Sequence, residues 1–460
     1  MQVSFLRAFL FSSFLLPLPL LAQQPTARPQ PASAQVATTG PTLTLAEAIR
    51  IGLEKNYGIQ LARQEERIAS NNVTRGNAGQ LPTVNGNATR NFNRNNLNQQ
   101  FGDNDPRIIN GATSNQLNTN VAATWTIFDG MGMFIAYDRL QRVAQGQRQV
   151  TRATAEETVA DITDAYFTVV REAGKIKSFE EALRIGQQRI DLTQARADVG
   201  VSAKVEVLTA RVDYNADRAG LIQQQEALKT AKVNLNNLLG RSPALDFQPA
   251  DSIVVSRDLS RETVAQAIRQ NNPRLQQAKI NTEIATYERR LVRASRLPQV
   301  GLTTGYGLNR NINNAAFAGT QLTTSTNTTH GLNYGLVASV PIFDGFNRNR
   351  LEQNARIGEM QSKLELEQTQ LQLDAEAEQA YAQYQNRLQL LQLEEDNILL
   401  ARQNIAIALE RYRLGLLTPL VLREAQRTQL EAENRLLDIR FQAKQAETTL
   451  RRLSSGLVRE

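Results

Sequence analysis

A six-residue stretch occurs twice in the chain, 215 positions apart. Trp125–Gly130 has the sequence WTIFDG, and Val340–Gly345 has the sequence VPIFDG. Each copy follows an alternating, Asn-, Thr- and Gly-rich segment and precedes a long segment that is poor in Gly and Pro. Asp129 and Asp344 are favourable helix N-caps, because a carboxylate accepts hydrogen bonds from the free N–H groups of a first turn. One copy would be an ordinary strand–turn–helix junction, but two in the same context indicate an internal duplication.

Two very long helices are predicted after these junctions. Residues 131–199 and 346–414 contain no Pro and only isolated Gly residues. At 1.5 Å per residue, each segment would form a helix of roughly 100 Å, which no compact domain contains. In the second segment, four residues recur every seven positions: Leu391, Ile398, Ile405 and Tyr412. This spacing is typical of the contact seam of supercoiled helices.

Each long helix is predicted to turn back on itself. Gly200 and Gly415, which are also 215 positions apart, are candidates for the left-handed residue that ends many helices. Return helices are expected at about 203–239 and 419–454. A shorter helix precedes each strand pair, so two short helices would lie beside each long one. These shorter helices are expected to be interrupted at an asparagine: near Asn56 and at Asn272.

Four strands are predicted, in two pairs. Their period-two alternation covers about 82–94 and 114–128 in the first repeat, and about 298–309 and 330–343 in the second. The polar segments between paired strands are predicted as loops. Four strands cannot close a membrane barrel, and an open edge in lipid would leave backbone groups unpaired. If the strands enter a membrane, several chains must share one barrel, with eight strands from two chains or twelve from three.

A membrane location is favoured over a soluble pair of hairpins on a coiled-coil rod, which stays open as the alternative. Aromatic residues, which are enriched at membrane interfaces, stand near the strand ends: Trp125, Phe128, Tyr334 and Phe343. Residues 1–22 have a charged start, a short apolar centre and a small final residue, as in a secretory signal peptide. A membrane-anchor helix is the alternative for this segment.

These signals divide the chain into six parts. After the signal peptide, a Pro-, Ala-, Thr- and Gln-rich segment at 23–42 is expected to be disordered. The first repeat covers 43–240 and a linker covers 241–258. The second repeat covers 259–455, and a C-terminal tail covers 456–460.

Composition argues against several functions. The 460 residues include no Cys, which excludes disulfides, thiolate metal sites and cysteine nucleophiles. The single histidine, His330, has no second histidine with which to share a metal, and the sequence contains no catalytic or nucleotide-binding motif. The net charge is +7, but Lys and Arg alternate with Glu and Asp along the helices, which argues against a nucleic-acid surface. We therefore expect neither an enzyme, nor a cofactor, nor a bound metal.

The repeat, the two junctions and the two Gly-centred turns occur in an order that resembles the outer-membrane efflux protein (TolC-like) family. The resemblance covers about residues 43 to 453. Arg411–Gly415, with Ala425 downstream, is similar to the family's tip motif, as is Val199–Ser202 followed by Glu206. The resemblance implies a mixed fold with two repeats of a β-hairpin and long antiparallel coiled-coil helices. It further implies a homotrimer, in which a twelve-stranded outer-membrane β-barrel continues into an α-helical periplasmic barrel. The implied partners are outer-membrane lipid, a periplasmic adaptor (membrane fusion) protein and an inner-membrane pump, and the implied cargo is drugs, metals or polypeptides.

The same resemblance implies roles for particular residues. The Gly-centred turns would form tips that dock to the adaptor: Val199, Gly200, Val201, Leu414, Gly415 and Leu416. The tunnel entrance would be closed by polar links and narrowed by acidic rings, and the matching gate residues are Glu206, Tyr412 and Glu424. The strand-to-helix junctions would lie at the periplasmic face of the outer membrane: Phe128, Asp129, Gly130, Phe343, Asp344 and Gly345.

Two positions depart from the family's pattern at the entrance. Val421 stands where the family has a second acidic ring residue, and Leu417 stands where it has an arginine that links the gate. Arg413 and Arg423 are candidates to replace that arginine.

A passive export duct is thus the favoured function. A periplasmic structural or adaptor protein without a pore is the first alternative, but an adaptor would carry one helical hairpin flanked by β-rich domains. An adhesin-like surface rod is the second alternative, but it would not need a strand pair before each long helix.

Overall fold

The structure, a computed structural model, describes residues 40–100, 102, 105–318 and 321–458, and its elements occur twice in one order. The first repeat consists of β1 (Thr42–Leu43), α1 (Leu45–Lys55), α2 (Tyr57–Asn71), β2 (Thr83–Gln99), β3 (Arg107–Phe128), α3 (Gly132–Asp198) and α4 (Lys204–Leu238). The second consists of β4 (Gln248–Pro249), α5 (Arg261–Asn271), α6 (Pro273–Ala294), β5 (Gln299–Ala318), β6 (Gln321–Ser339), α7 (Asn347–Arg413) and α8 (Pro419–Leu453). The predicted signal peptide, and the predicted disordered segment up to residue 39, lie outside the described residues.

Two helices of 67 residues, α3 and α7, form the frame of the molecule. Each extends for about 100 Å. Each packs against its 35-residue return helix, α4 or α8, and against the shorter helices of its own repeat. Helix α3 also contacts α6 and α8, which joins the two repeats. The four residues spaced by seven on α7 are all buried, which confirms the predicted seam.

An asparagine performs the same two tasks in each repeat. The Asn56 side chain accepts the Ile59 N–H at the start of α2 and donates to Leu238 O at the end of α4, over 2.8 Å. In the second repeat, Asn272 caps α6 and donates to Leu453 O over 2.9 Å. One side chain therefore begins a short helix and also satisfies a carbonyl at the C-terminal end of the return helix.

Two buried tyrosines attach the segment between the repeats to the long helices. The Tyr166 hydroxyl on α3 lies 2.9 Å from Leu43 O and 2.8 Å from Asp251 Oδ2. Burial raises the pKa of Tyr166 to about 12, so it stays a neutral donor. On α7, the Tyr384 hydroxyl donates to Ser256 O over 2.6 Å. These contacts hold the predicted linker against both helical repeats.

The four long strands form one antiparallel sheet in the order β2-β3-β5-β6. The second repeat's hairpin therefore lies beside that of the first, and β3 pairs directly with β5. Strands β2 and β6 are the edges, and each pairs with one neighbour within the described residues.

The strands extend beyond the predicted bounds at the end far from the helices. The prediction of loops at 93–113 and 309–329 was wrong, because β2 continues to Gln99 and β5 and β6 are separated only by residues 319 and 320. These extensions are rich in Asn and Thr on both faces, so they lack the hydrophobic alternation that sequence patterns detect. Backbone ladder bonds form these pairs, and cross-strand side-chain contacts, such as the hydrogen bond from Asn93 Nδ2 to Ser114 Oγ at 3.3 Å, add to them.

The predicted end of the last strand was also wrong. Strand β6 ends at Ser339 rather than near residue 343. Pro341 lacks the N–H that a further ladder bond would need.

The register gives the sheet one apolar and one polar face. Residues directly opposite on neighbouring strands project to the same side. One face carries the rows Trp125–Leu302–Leu336 and Val121–Tyr306–Leu332. The other carries Asn87–Asn120–Gly307–Gly331 and Asn91–Gln116–Asn311–Asn327. The predicted alternation of apolar and polar residues along the strands is therefore confirmed, because the two kinds of residue project from opposite faces of the sheet.

Among the described residues, no helix is both long enough and apolar enough to cross a bilayer.

Candidate functional site

The two Gly-centred turns share one hydrogen-bond pattern. After α3, the N–H of Val201 donates to Arg196 O over 2.9 Å, and the N–H of Gly200 donates to Ala197 O over 3.0 Å. The turn around Gly415 repeats both bonds, at 2.9 and 3.1 Å. This pair of hydrogen bonds requires a residue with a left-handed backbone conformation at its centre. The φ angles of the two glycines are +77° and +78°. A residue with a Cβ would be strained at either position.

Apolar side chains project from both turns. Four residues that flank the glycines are between 66% and 76% exposed: Val199, Val201, Leu414 and Leu416. No other group lies within 4 Å of the position that a Gly200 Cβ would take. The turns therefore present an apolar surface that nothing in the described part of this chain covers.

Arg196 joins the two turns. Its guanidinium on α3 donates to Tyr412 O on α7 over 2.7 Å and lies 4.9 Å from the centre of the Tyr412 ring. The same guanidinium lies 3.2 Å from the position that a Gly415 Cβ would take. The predicted tips are thus neighbours at one end of the molecule. Sequence reasoning missed this arginine, because nothing local distinguishes it from other charged helix residues.

Tyr412, predicted at the gate, is fully buried between the long helices. Its hydroxyl lies 2.6 Å from Thr193 Oγ1, and Thr193 Oγ1 also donates to Arg189 O over 2.7 Å. The ring belongs to an apolar cluster at this end that includes Ile185 and Leu422. In this structure Tyr412 therefore fastens α7 to α3 of the same chain.

Glu206, the predicted polar partner of Tyr412, makes a different contact. Its carboxylate accepts a hydrogen bond from the Ser202 hydroxyl within the turn. Glu206 lies in the first turn of α4, where a negative charge is favourable. The structure does not bring Glu206 and Tyr412 together by any hydrogen bond among the described residues.

Glu424, the predicted ring residue, is exposed on α8. It pairs with Arg427 one turn further along, at 3.0 Å. The hydrogen bond that Arg427 donates to Glu424 raises the pKa of Arg427, which stays charged. Val421 is 49% exposed one turn before it, and Leu417 packs against the apolar cluster at this end. This surface of α8 therefore presents the Glu424 carboxylate beside the apolar Val421 side chain.

A charged network that sequence reasoning only partly foresaw links both return helices. Arg423 on α8 binds both carboxylate oxygens of Asp217 on α4, at 2.6 and 2.9 Å. Its Nε lies 3.8 Å from Asp213, which also pairs with the buried Arg189 of α3. Hydrogen bonding to Asp217, and the charges of both aspartates, raise the pKa of Arg423. Of the two candidate arginines, Arg423 makes the link between helices, while Arg413 pairs with Glu410 on its own helix, at 3.6 Å.

The strand-to-helix junctions have a left-handed backbone at two successive residues. Gly130 and Met131 have φ angles of +72° and +68°, and Gly345 and Phe346 have +67° and +63°. At Gly130, a Cβ would lie 2.5 Å from Ala294 O, so only glycine fits there.

Asp344 accepts a hydrogen bond from a backbone N–H in the first turn of α7, that of Arg348, over 3.0 Å. The prediction that Asp129 and Asp344 are the N-cap residues was wrong, because Met131 and Phe346 occupy those positions, with a left-handed backbone and no side-chain cap hydrogen bond. The Asp129 carboxylate nevertheless lies against Gly132 at the start of α3. Phe343 is 75% exposed and Phe128 is 36% exposed. Both junctions thus place an exposed aromatic ring between the sheet and a long helix.

Comparison with known proteins identifies the fold and the family. A family model described as outer membrane efflux protein matches residues 49–241 and 264–456, one match for each repeat. The protein CyaE of Bordetella pertussis is 24% identical over 265 residues, which are 57% of this chain and 54% of CyaE. The outer membrane protein TolC of Escherichia coli is 22% identical over 343 residues, which are 73% of this chain and 68% of TolC.

A solved structure shows the same helix-dominated fold. The CmeC outer membrane channel of Campylobacter jejuni superposes with a TM-score of 0.73 at 14% identity, over 95% of this chain and 94% of CmeC. This likeness covers the sheet, the long helices and the return helices together. The family model, in turn, matches each of the two repeats. The chain therefore belongs to the outer membrane efflux protein family.

Proposed function

We propose that the chain is the outer-membrane channel of a tripartite efflux or type I secretion system. Three copies would form a passive duct that carries cargo from an inner-membrane pump and a periplasmic adaptor across the periplasm and the outer membrane. TolC, which is named an outer membrane protein, and CmeC, which is named an outer membrane channel, support this role.

One observation carries the proposal: a four-stranded sheet with two open edges is joined directly to two 67-residue helices. One face of the sheet is apolar and the other is polar, as lipid and an aqueous lumen require. Strands β2 and β6 need partners in a bilayer, because unpaired backbone groups there cost several kcal/mol each. Three copies, pairing β6 of one with β2 of the next, would close a barrel of twelve strands.

The helices would continue this barrel as a tunnel whose far end carries the docking tips. Apolar side chains at both turns supply a surface for the helical hairpins of an adaptor. The pairing of Arg423 with Asp217 joins α8 to α4, and the pairing of Tyr412 with Thr193 joins α7 to α3. A closed entrance would require such links between helices. Glu424 would form one acidic ring around the pore.

The alternative is a periplasmic coiled-coil structural or adaptor protein without a pore. Membrane fractionation separates the two functions, because a channel would be extracted by detergent from the outer membrane as a heat-sensitive trimer. Recovery of the full chain only from the soluble periplasm would contradict the channel.

Cross-linking from the tips would test the docking role. The chain contains no Cys, so Val201→Cys and Leu416→Cys, at exposed positions beside the left-handed glycines, each give a single attachment point without straining the turn. We expect both variants to capture one periplasmic adaptor in cells. Leu371→Cys, at an exposed position in the middle of α7, is the matched control and should capture none. Equal capture from all three positions would contradict docking at the tips.

A further inference from the structure

Three arginines lie on the apolar face of the sheet, in the half that is far from the helices. Arg90 on β2 is directly opposite Leu117 on β3, which is directly opposite Arg310 on β5. The three side chains of this row therefore project from the same face as Trp125 and Tyr306, which belong to parallel rows of the same register. Arg94 follows four positions along β2 and is on that face too.

The distance between the arginine row and the base of the sheet fits the apolar layer of a membrane. Trp125 and Leu117 are eight positions apart on β3, which is about 26 Å along a strand. With the usual tilt of barrel strands this becomes about 20 Å, close to the roughly 25 Å apolar band of outer-membrane barrels. Trp125 would mark the periplasmic edge of this band and the Arg90–Arg310 row the opposite edge.

The charge of Arg90, Arg94 and Arg310 is not balanced by a carboxylate on the strands. The strands β2, β3, β5 and β6 contain four arginines and no Asp or Glu within the ranges given above. None of Arg90, Arg94 and Arg310 forms an ion pair with any described residue, and all three are exposed. Neighbouring strands from further copies of this chain would bring no carboxylate either, because they have the same sequence.

The contacts of Arg90 leave its terminal nitrogens available. Its Nε donates to Asn115 Oδ1 over 3.2 Å, and its guanidinium lies 4.8 Å from the centre of the Phe92 ring. This arrangement orients the guanidinium on an apolar surface without neutralising its charge. A planar guanidinium in that setting favours phosphate oxygens, which it can bind with two parallel hydrogen bonds.

We propose that this surface, defined by Arg90, Arg94 and Arg310, binds the phosphate groups of anionic lipids in the leaflet at the loop end of the sheet. The proposal rests on the proposed function, since it requires the apolar face to lie in lipid. Charge complementarity selects the partner: the surface is basic, it borders an apolar layer, and lipid headgroup phosphates are the anions found at that boundary.

Tryptophan quenching by brominated lipids tests the binding at this one place. Trp125 is the only tryptophan of the chain, and it lies at the other edge of the same face. Combining Trp125→Phe with Phe92→Trp moves the reporter between Arg90 and Arg94. The purified trimer would be reconstituted in phosphatidylcholine vesicles that contain either brominated phosphatidylglycerol or brominated phosphatidylcholine, and the ratio of quenching gives the local preference for the anionic lipid.

We expect the tryptophan at position 92 to report a local preference for the anionic lipid over phosphatidylcholine of about five-fold per arginine at low salt. Trp125 in the otherwise unchanged protein should report little preference. The triple change Arg90→Gln, Arg94→Gln and Arg310→Gln should remove the preference at position 92. The control change Arg63→Gln, Arg67→Gln and Arg75→Gln removes the same charge from exposed positions outside the sheet and should leave it intact.

Three outcomes would overturn the proposal. The first is equal quenching by both lipids at position 92, and the second is a preference that survives the triple change. The third is a free-anion site. Loss of the preference on adding millimolar inorganic phosphate would show a free-anion site instead of a lipid site. Channel conductance in the same vesicles separates this result from the proposed function: a conducting trimer without lipid preference contradicts only the lipid surface, whereas failure to insert and conduct contradicts the channel.

Discussion

Arg423 and Asp217 are joined by two hydrogen bonds, at 2.6 and 2.9 Å, although they lie 206 positions apart and on the return helices of different repeats. The Asp217 side chain is 10% exposed and that of Arg423 is 24% exposed, so water screens this pair much less than a surface pair. Removing one partner leaves the other charge poorly solvated. The pair is therefore a specific link between helices α4 and α8.

Breaking this link should loosen the entrance. We expect Arg423→Gln and Asp217→Asn each to destabilise the helical end by about 2–4 kcal/mol and to raise the single-channel conductance of the reconstituted protein. The double variant should lose less than the sum of the two changes, because the residues are coupled. Arg402→Gln, which breaks a 3.4 Å pair between α7 and α8 with a largely exposed arginine, should leave the conductance unchanged. Additive losses in the double variant would contradict a direct link.

The proposed acidic ring leads to a prediction about ions. Three copies of Glu424 near a pore axis would create a negative potential that favours cations. We expect Glu424→Ala to reduce cation selectivity and to weaken block by multivalent cations, both measured in single-channel recordings. Glu431→Ala is the matched control, because Glu431 is the other carboxylate near Arg427, at 3.8 Å, and lies two turns further along α8. Unchanged selectivity in Glu424→Ala would contradict the ring.

The sequence predicts those parts of the fold that have a local physical signature. Seven-residue spacing predicted the seam on α7, and the position of Gly200 predicted a left-handed turn, because each pattern depends on neighbouring residues alone. The polar extension of β2 has no such signature, since its Asn-rich faces look alike. Its strand is fixed by the pairing of its backbone with β3.

The candidate site likewise contains some features that the sequence indicated and others that it did not. Resemblance indicated the region of the proposed entrance, and Glu206 and Tyr412 both lie at that end of the helices. It did not indicate that Tyr412 is buried against Thr193, or that Arg423 pairs with Asp217. Both contacts join residues more than 200 positions apart on helices whose charge patterns are ordinary, so only the packing of the helices reveals them.

Replacing the central glycine of a tip should have a graded effect. Gly200 has a φ angle of +77° and open space around it, so a substitution there changes backbone energy without a steric clash. We expect Gly200→Ala to destabilise the turn by about 1 kcal/mol and to reduce adaptor cross-linking from a nearby position such as Ser202→Cys. Gly200→Asn should retain more cross-linking, because Asn tolerates the left-handed region. Greater loss with Asn than with Ala would contradict a backbone origin.

Asp164 provides a pH-dependent contribution to stability near the middle of α3. It lies on α3 and accepts a hydrogen bond from Gln445 on α8, over 3.1 Å. Burial raises the pKa of Asp164 to about 6, the neighbouring Asp161 adds to this increase, and Gln445 and Arg452 oppose it. An aspartate in an unfolded chain has a pKa of about 3.9.

Since the folded-state pKa is the higher one, the folded protein binds more protons than the unfolded chain between about pH 4 and pH 6. The free energy of unfolding should therefore fall as the pH rises through this range, and the full penalty should be present above pH 6. We expect Asp164→Asn, which cannot ionise, to be more stable than the unchanged protein at pH 8 by about 1 kcal/mol after solvent screening, and the gain should shrink toward pH 4.

Helical circular dichroism during thermal unfolding at several pH values would measure this gain in stability. Asp191→Asn is the matched control, because Asp191 has the same Gln–Asp contact on an exposed surface of α3, at 2.8 Å, and should show no such gain. If Asp164→Asn raised the free energy of unfolding by the same amount at pH 4 and pH 8, the removal of a buried negative charge would not be the cause of the gain.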